Sequence, residues 1–381
     1  MENCDALIVG GGPAGSTCAR KLRQAGLDVT VVDSSSFPRD KVCAGWITTQ
    51  VVDDLGLDVN EYRVGRTFQP IKGFRTGVVG GDREVETNYG RPVSFGIRRC
   101  EFDDYLLKRS GARLKLGVPF SRLRREGRDW IVNEQIRTPL LVGAGGHFCP
   151  VARHLNGPLA VDETALVVAQ EVEFPVVPHD GSFTTDPEKP ELYFSRDLRG
   201  YGWCFRKQDH LNVGFGHLSR RALPKASADF VAFLAARRKV PTDATWRWRG
   251  HAYLLHASRR RVFADGVMLV GDAAGLAYPQ SGEGIRPAIE SGMLAASSIL
   301  QASGLYAADR LASYQRLLSK RFGSGQASPP LAELLPADLV AGCARGLLRI
   351  PAFVRHVVLD RWFLHSHDPA LKSELECGAA L

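Results

Sequence analysis

Three glycines stand at Gly10, Gly12 and Gly15, with Pro13 and Ala14 inside the set, directly after the apolar run Ala6–Val9. The Gly-x-Gly-x-x-Gly spacing has a physical purpose. The first glycine allows a tight turn, the second lets backbone approach a pyrophosphate, and the third lets a helix pack closely on a strand. The phosphate then rests on the helix N-terminus, where unpaired N–H groups and the helix dipole favour negative charge. Asp33 follows the next apolar run, Val29–Val32, at the place where a carboxylate accepts hydrogen bonds from ribose hydroxyls. The set implies dinucleotide binding. An acid rather than an arginine at position 33 disfavours a 2′-phosphate there.

A second glycine-rich loop lies far along the chain, in GDAAGLAYPQSGEGIRPAIESG, Gly271 to Gly292. Asp272 ends another apolar run and is suited to the ribityl chain of a flavin. Ala273, Ala274 and Gly275 permit close approach. Pro279, Gly282 and Gly284 shape a loop whose N–H groups can face an isoalloxazine edge. A helix opening at Ile285 turns its positive end toward the flavin N1–C2=O region, where charge accumulates on reduction. Both ends of the chain are therefore expected to bind one extended cofactor, FAD.

Positioning these residues takes a particular run of elements. Ala6–Val9 reads as a buried strand, Ala14–Gln24 as a helix ended by Gly26, and Val29–Val32 as the next strand. The polar loop SSSFPRDKVCAGW leads into a helix over Thr48–Leu55. Residues 61 to 92 are rich in strand and turn signals. RRCEFDDYLLKRSGA reads as a helix, and DWIVNEQIRTPLLVGAGG as a meander ending in the buried strand Leu140–Val142. ALVVAQEVEF, PELYFS, GYGWCFRK and HLNVGFG read as antiparallel strands, and SADFVAFLAARR as an amphipathic helix. After Gly292 the chain reads as helical, with a break over Gly323–Pro330.

Composition bounds the rest. The chain has 381 residues, which favours two domains, and 44% hydrophobic and 24% charged content is ordinary for a globular protein. The net charge of +8 suits anionic ligands or an anionic membrane surface, but the basic residues are scattered and no nucleic-acid partner is expected. None of the eight cysteines forms a CxxC pair, and His251 and His256 lack partners at useful spacing, so no metal site is expected. Met1–Asp5 is short and polar, and no apolar run is long enough to span a bilayer. A cytoplasmic location is expected. LLPADLVAGCARGLLRIPAFVRHVVLDRWFLH, with Arg345, Arg349, Arg355 and Arg361 interleaved, can either lie on an anionic membrane surface or cap the substrate domain.

Four stretches carry a family resemblance: IVGGGPAGSTCARKLRQAGLDVTVVD, FPRDKVCAGWIT, GYGWCFRKQDHLNVGFG and GDAAGLAYPQSGEGIRPAIESG. The sequence resembles the FAD-dependent family of aromatic hydroxylases, halogenases and geranylgeranyl reductases, and is most similar to the geranylgeranyl reductase-like branch. The resemblance implies an α/β fold, with a Rossmann-like FAD-binding domain, an inserted antiparallel-sheet substrate domain and a helical C-terminal tail. It implies that Arg99, with Arg98 as neighbour, and the Ala144-Gly145 turn contact FAD, and that Lys41 and Cys43 lie near the flavin's reactive face. Cys43 is then a proton donor or a small packing residue. Tyr201 and Trp203 join it as catalytic candidates. Trp46, Phe205 and Arg206 are the substrate-binding candidates, the aromatic residues lining an apolar pocket or serving as core, and Arg206 standing near that pocket or on a sheet edge.

The sequence also departs from the family. Gly143-Ala144-Gly145-Gly146 replaces Gly-Ala-Asp-Gly, which puts a hydroxylase-type NAD(P)H docking mode in doubt. Arg206 replaces the proline of Tyr-x-Trp-x-Phe-Pro-Lys. Trp246-Arg-Trp248 lacks the Ile-Pro that follows the halogenase Trp-x-Trp. No second Gly-x-Gly-x-x-Gly follows a strand, so no separate nicotinamide domain is expected.

These readings place the FAD-binding domain at residues 1–60, 93–157 and 258–305, the substrate domain at 61–92 and 158–257, and a helical region at 306–381. The expected activity is FAD-dependent reduction of carbon–carbon double bonds in an isoprenoid or other lipophilic small molecule, with NAD(P)H or ferredoxin as electron donor. The alternatives are a monooxygenase acting on an aromatic or polyketide-like substrate through a C4a-hydroperoxide, and a flavin-binding module without turnover.

Overall fold

A computed structural model describes residues 1–157, 166–176, 183–241, 244–254, 260–323 and 337–372. The chain divides into two compact units. One contains Met1–Asp40, Cys100–Ala165 and Tyr253–Gln326; the other contains Lys41–Arg99, Leu166–Ala252 and Ala327–Leu381. The expected boundaries shift in two places. Residues 41–60 and 93–99 group with the second unit, where the strands Trp46–Thr48, Ser94–Gly96 and Gln69–Ile71 form a three-stranded antiparallel sheet of their own. The C-terminal region is not separate, for its residues divide between the two units.

The first unit is built on a six-stranded sheet. Its strands run Phe263–Ala264, Val267–Leu269, Leu141–Gly143, Ala6–Val9, Val29–Asp33 and Arg113–Leu116. All neighbours are parallel except the first pair. The Ala-Leu-Ile-Val strand at the centre is buried at every residue, as a sheet covered on both faces requires. The helices Pro13–Gln24 and Ile285–Gln301 cross at very short range. A Cβ on Gly292 would lie 2.5 Å from the Ala14 carbonyl oxygen, so a glycine there is a packing necessity. A four-stranded sheet accompanies this core, ordered Glu2–Asn3, Ile136–Thr138, Asp129–Val132 and Leu123–Glu126.

The second unit holds a seven-stranded sheet, ordered Arg249–Leu254, Leu166–Pro175, His210–His217, Gly200–Lys207, Glu191–Phe194, Gly73–Val78 and Val85–Asn88. Side chains alternate across it. Tyr193, Cys204, Leu211, Val213 and Phe215 point to one face and form a core with Phe230, Phe233 and Leu234 of the helix Leu223–Ala236. Trp246 and Trp248 stack on each other and pack against this core, which accounts for the Trp-x-Trp pattern structurally.

The C-terminal run forms the helix Ala337–Leu347 and then Pro351–Phe353, which continues as the wide π-type helix Val354–Phe363. Asp360 accepts a 2.6 Å hydrogen bond from the Tyr89 hydroxyl, and Asp54 accepts one from the Lys372 N–H at 2.8 Å. The run therefore packs on the second unit, in agreement with the capping alternative. The break expected over Gly323–Pro330 lies beyond the described residues except for Gly323. Among the described residues no helix is long and apolar enough to cross a membrane.

Candidate functional site

The first unit forms a cradle from main chain. Gly10 has φ of +117°, and a Cβ there would sit 2.4 Å from the Ala144 carbonyl oxygen. A Cβ on Gly15 would sit 2.0 Å from the Gly10 carbonyl oxygen. Gly12 caps the helix in extended conformation, and Pro13 opens it. Asp33 accepts from the Gly11 N–H and the Ser35 N–H, each at 2.8 Å and each on a different carboxylate oxygen. Each oxygen keeps acceptor capacity for a ribose hydroxyl.

The second loop closes the cradle. Gly271 has φ of +60°, and a Cβ there would lie 3.1 Å from the Ala14 Cβ, so the two glycine loops touch. The Gly271 N–H donates to Ser291 Oγ at 2.9 Å. Asp272 Oδ1 reaches within 3.2 Å of the position a Gly284 Cβ would take, next to the cap of the helix Ile285–Gln301. Gly282 has φ of +64°, its N–H donates to the Tyr278 carbonyl, and Pro279 is exposed at the loop tip. Behind the loop, Glu290 takes Arg286 Nε at 2.8 Å and Arg321 Nη2 at 2.6 Å, all three side chains buried. Two helix N-termini, two carboxylates and glycines that no side chain can replace fit an extended, doubly anionic dinucleotide of the FAD type.

Two features of this cradle were not anticipated. Arg39 lies with Nη2 3.4 Å from where a Gly12 Cβ would be, and the buried Asp103 carboxylate holds it at 3.3 Å. That guanidinium stands beside the phosphate turn. Its signal was present in FPRDK, the loop that supplied Lys41 and Cys43. The second concerns Gly145, which stands where the Gly-Ala-Asp-Gly pattern of the resembled family has aspartate. A Cβ there would press on the Cys149 Cα at 3.2 Å, so the start of the helix Pro150–Asn156 occupies the room.

The other expected site residues belong to the second unit. Lys41 Nζ lies 2.8 Å from His251 Nε2. Arg99 opens the helix Arg99–Arg109. Tyr201, Trp203 and Phe205 share one sheet face with Trp46, and Phe363 stacks on Trp46 at 5.8 Å and meets Tyr201 edge-on at 5.2 Å. Trp203 lies flat over Gly214, where a Cβ would be 2.1 Å away, and its Nε1 donates to Asn212 Oδ1 at 2.7 Å. Trp46, Trp203 and Phe205 are buried and Tyr201 is half-buried. Strand parity sends Arg206 to the opposite face, where its guanidinium lies over Phe183 and its Nε donates to the Gln208 carbonyl. Lys207, one residue on, is the basic group on the aromatic face.

Lys207 belongs to a buried polar cluster that sequence reasoning missed. Its Nζ lies 2.6 Å from Glu173 Oε2 and donates to the Ile97 carbonyl at 3.1 Å. Arg98 Nε reaches Glu173 Oε1 at 3.1 Å. Asn212 Nδ2 lies 3.2 Å from both Glu171 Oε2 and Glu173 Oε2, and 3.5 Å from the Cys43 carbonyl oxygen. Burial alone would raise the Glu173 carboxyl, but Lys207 and Arg98 outweigh it and hold it down at about 2. Burial raises the Glu171 carboxyl above the usual range, and the neighbouring Glu173 charge adds to the rise, against the opposing pull of Lys207, the Cys43 backbone and Asn212. Cys43 itself is half-buried, and its Sγ accepts from the Gly45 N–H at 3.4 Å. Among the described residues no group of side chains could hold a metal ion, and the cysteines described are free.

Comparison with known proteins agrees with this assembly. Residues 8–71 match the family model of an NAD(P)-binding Rossmann-like domain. The menaquinone reductase of Mycobacterium tuberculosis is 29% identical over 342 residues, covering 85% of this chain and 82% of that protein. The digeranylgeranylglycerophospholipid reductase of Methanothrix thermoacetophila is 29% identical, covering 84% of each. Among solved structures, a geranylgeranyl bacteriochlorophyll reductase-like protein from Thermoplasma acidophilum superposes with a TM-score of 0.72 at 22% identity, over 92% of this chain and 88% of that one. A flavin-dependent brominase superposes with a TM-score of 0.66 at 19% identity, over 94% and 99%. These structural likenesses establish the flavoprotein fold. The resemblance to the reductase branch, drawn from four short stretches, extends over most of the chain.

Proposed function

We propose that this chain, an FAD-dependent oxidoreductase of the geranylgeranyl reductase-like branch, reduces carbon–carbon double bonds in the prenyl portion of a lipophilic substrate. The observation that carries this reading is the extent of the match to relatives named as reductases of prenylated compounds, from the FAD cradle through the aromatic sheet face. FAD, when bound and reduced, supplies hydride to one alkene carbon. The protein's part is the rest. Asp33, Asp272, Arg39 and the two helix N-termini hold the cofactor. Tyr201 and Trp203 offer apolar surface to a prenyl chain, with Trp203 fixed by Asn212 and Gly214. The Cys43 thiol holds the proton for the second carbon, with the Tyr201 hydroxyl as the other candidate. Electrons reach the flavin from NAD(P)H or a ferredoxin. A lipid substrate also suits peripheral contact with an anionic membrane through the C-terminal helices, where Leu347 and Ile350 are exposed beside Arg345 and Arg349.

The test is anaerobic turnover. Protein loaded with FAD and reduced with dithionite is offered geranylgeranyl diphosphate and, separately, a menaquinone. The expected result is substrate-dependent flavin oxidation and a product that has gained two hydrogens per double bond, by mass spectrometry. Oxygen incorporation into an aromatic substrate in air, with no alkene reduced, would replace this reading by the monooxygenase.

A further inference from the structure

The aromatic sheet face has two ends of opposite character. Along the strand Gly200–Lys207, the alternate residues Tyr201, Trp203, Phe205 and Lys207 share that face. On the next strand Phe194 pairs with Tyr201 and Leu192 with Trp203. Charges stand at one end, where Lys207 holds the Glu173 carboxylate at 2.6 Å and Arg98 reaches it at 3.1 Å. Phe363 stands at the other. Its ring stacks on Trp46 with centroids 5.8 Å apart and planes at 14°, meets Tyr201 edge-on at 5.2 Å and reaches Phe194 at 6.5 Å. Trp46 spans the distance between the ends, for it also touches Phe205 at 5.8 Å and Phe74 at 5.2 Å. Trp46 and Phe363 thus roof a floor of sheet residues. That roof is not built for stability alone. The buried Trp46 indole N–H has no acceptor among the described residues, which costs stability that a phenylalanine would not. Phe363 is held firmly in place. It closes the wide helix Val354–Phe363, which the Tyr89 hydroxyl ties to the sheet edge through Asp360 at 2.6 Å, and its side chain is 1% exposed.

We infer that Phe363 is a specificity-determining residue: it ends the apolar lane along this strand and so sets how long a prenyl chain the protein accepts. The inference deepens the proposed function and rests on it for the class of substrate. An apolar chain laid along Tyr201, Trp203 and Phe205 cannot continue into the charges of Lys207, Glu173 and Arg98, because it would strip water and partners from buried ions. Its other end meets Phe363. Tyr201 and Phe205 are four residues apart, which is about 13 Å of strand. One end of the lane is closed by an ion cluster that no small change can shift, and the other by the volume of one side chain. A smaller side chain at position 363 lengthens the lane and a larger one shortens it. In an apolar pocket one methylene group of room or misfit is worth about tenfold or more in discrimination.

The test is a size series at one position, read by binding to the FAD-loaded, oxidised protein. Radiolabelled geraniol, farnesol and geranylgeraniol, each one isoprene unit longer than the last, are offered in equilibrium dialysis. The three dissociation constants are compared within each variant. Phe363→Ala is expected to move the preference toward geranylgeraniol over farnesol by about tenfold relative to wild type. Phe363→Trp is expected to move it as far in the opposite direction, toward the shorter alcohols. If Phe363→Ala does not fold, Phe363→Leu takes its place, with the same sign expected. If the variants change all three constants by one common factor, or lower the melting temperature and leave the constants unmoved, Phe363 is core packing and the inference fails. It fails equally if no alcohol binds to wild type. Binding needs no hydride, so a wild-type protein that binds the alcohols and reduces no alkene would overturn the proposed function while the length limit is still judged.

Discussion

The FAD cradle and the aromatic sheet face are built on opposite principles. The cradle is made of backbone. At Gly10, Gly15 and Gly292 a Cβ would strike a neighbouring loop or helix, Gly271 has a left-handed φ, and three side chains, Asp33, Arg39 and Asp272, complete the design. The sheet face is made of side chains, brought together by the register of three neighbouring strands: Glu171 and Glu173, Trp203 and Lys207, Asn212. A site of the first kind tolerates almost no substitution at its glycines. In a site of the second kind, loss follows from the charge or hydrogen bond removed.

Breaking the cradle should give the largest effect. Gly15→Val places branched carbon where 2.0 Å separates even a Cβ from the Gly10 carbonyl, so the expected outcome is protein without FAD, read from the flavin-to-protein absorbance ratio. Flavin retention would show that backbone shape is not what the first motif provides. On the sheet face, Lys207→Met leaves the Glu173 charge with Arg98 alone in a buried place. A loss of about 3–5 kcal/mol in denaturant unfolding is expected, with FAD content near wild type.

The acid limb of stability sharpens the same contrast. The Glu173 carboxyl is depressed to about 2 in the folded protein. Its stabilisation is therefore fully present above the ordinary carboxyl range and is lost as pH falls toward 2. On the order of 3 kcal/mol is expected from a shift of this size. Glu173→Gln should flatten that part of the unfolding profile, and an unchanged profile would assign acid sensitivity elsewhere. Asp33→Asn should act more mildly, because the amide still offers one acceptor. FAD affinity is expected to fall by about tenfold, corresponding to roughly 1.4 kcal/mol, measured by flavin fluorescence. The smallest effect is expected from Leu347→Ser with Ile350→Ser. These exposed side chains should matter little to melting, with a shift equivalent to about 0.5 kcal/mol or less, while flotation with phosphatidylserine vesicles falls. Equal flotation of variant and wild type would remove membrane contact through these helices.

Much of the cradle was legible because glycine spacing, an apolar run and an acid lie within one short stretch, as in Gly10 to Asp33. The second loop was legible for the same reason. Arg39 was missed because nothing local marks a loop arginine as facing Gly12; its placement depends on Asp103, buried in the helix Arg99–Arg109. Which of Arg206 and Lys207 shares the face of Trp203 is a matter of strand parity, fixed by the register that sets Arg206 opposite Leu211 and Lys207 opposite His210. AQEVEF showed two glutamates on alternate residues, but sequence offered no partner to explain their burial. The domain boundary at Asp40 was hidden because Trp46–Thr48 finds its neighbour at Ser94–Gly96. Phe363 could not be foreseen against Trp46, since a helical tail carries no address of its contact.

The touching of Gly292 and Ala14 has a consequence for how the protein is made. The first phosphate turn leaves the ribosome well before the helix Ile285–Gln301 that completes the cradle. At ordinary translation speeds the early half waits roughly 15–60 s for its counterpart. During that interval the helix Pro13–Gln24 lacks the partner helix that packs on Ala14, and cofactor capture is deferred. FAD loading is thus a late checkpoint, and a truncated or stalled chain would reveal itself as a colourless one.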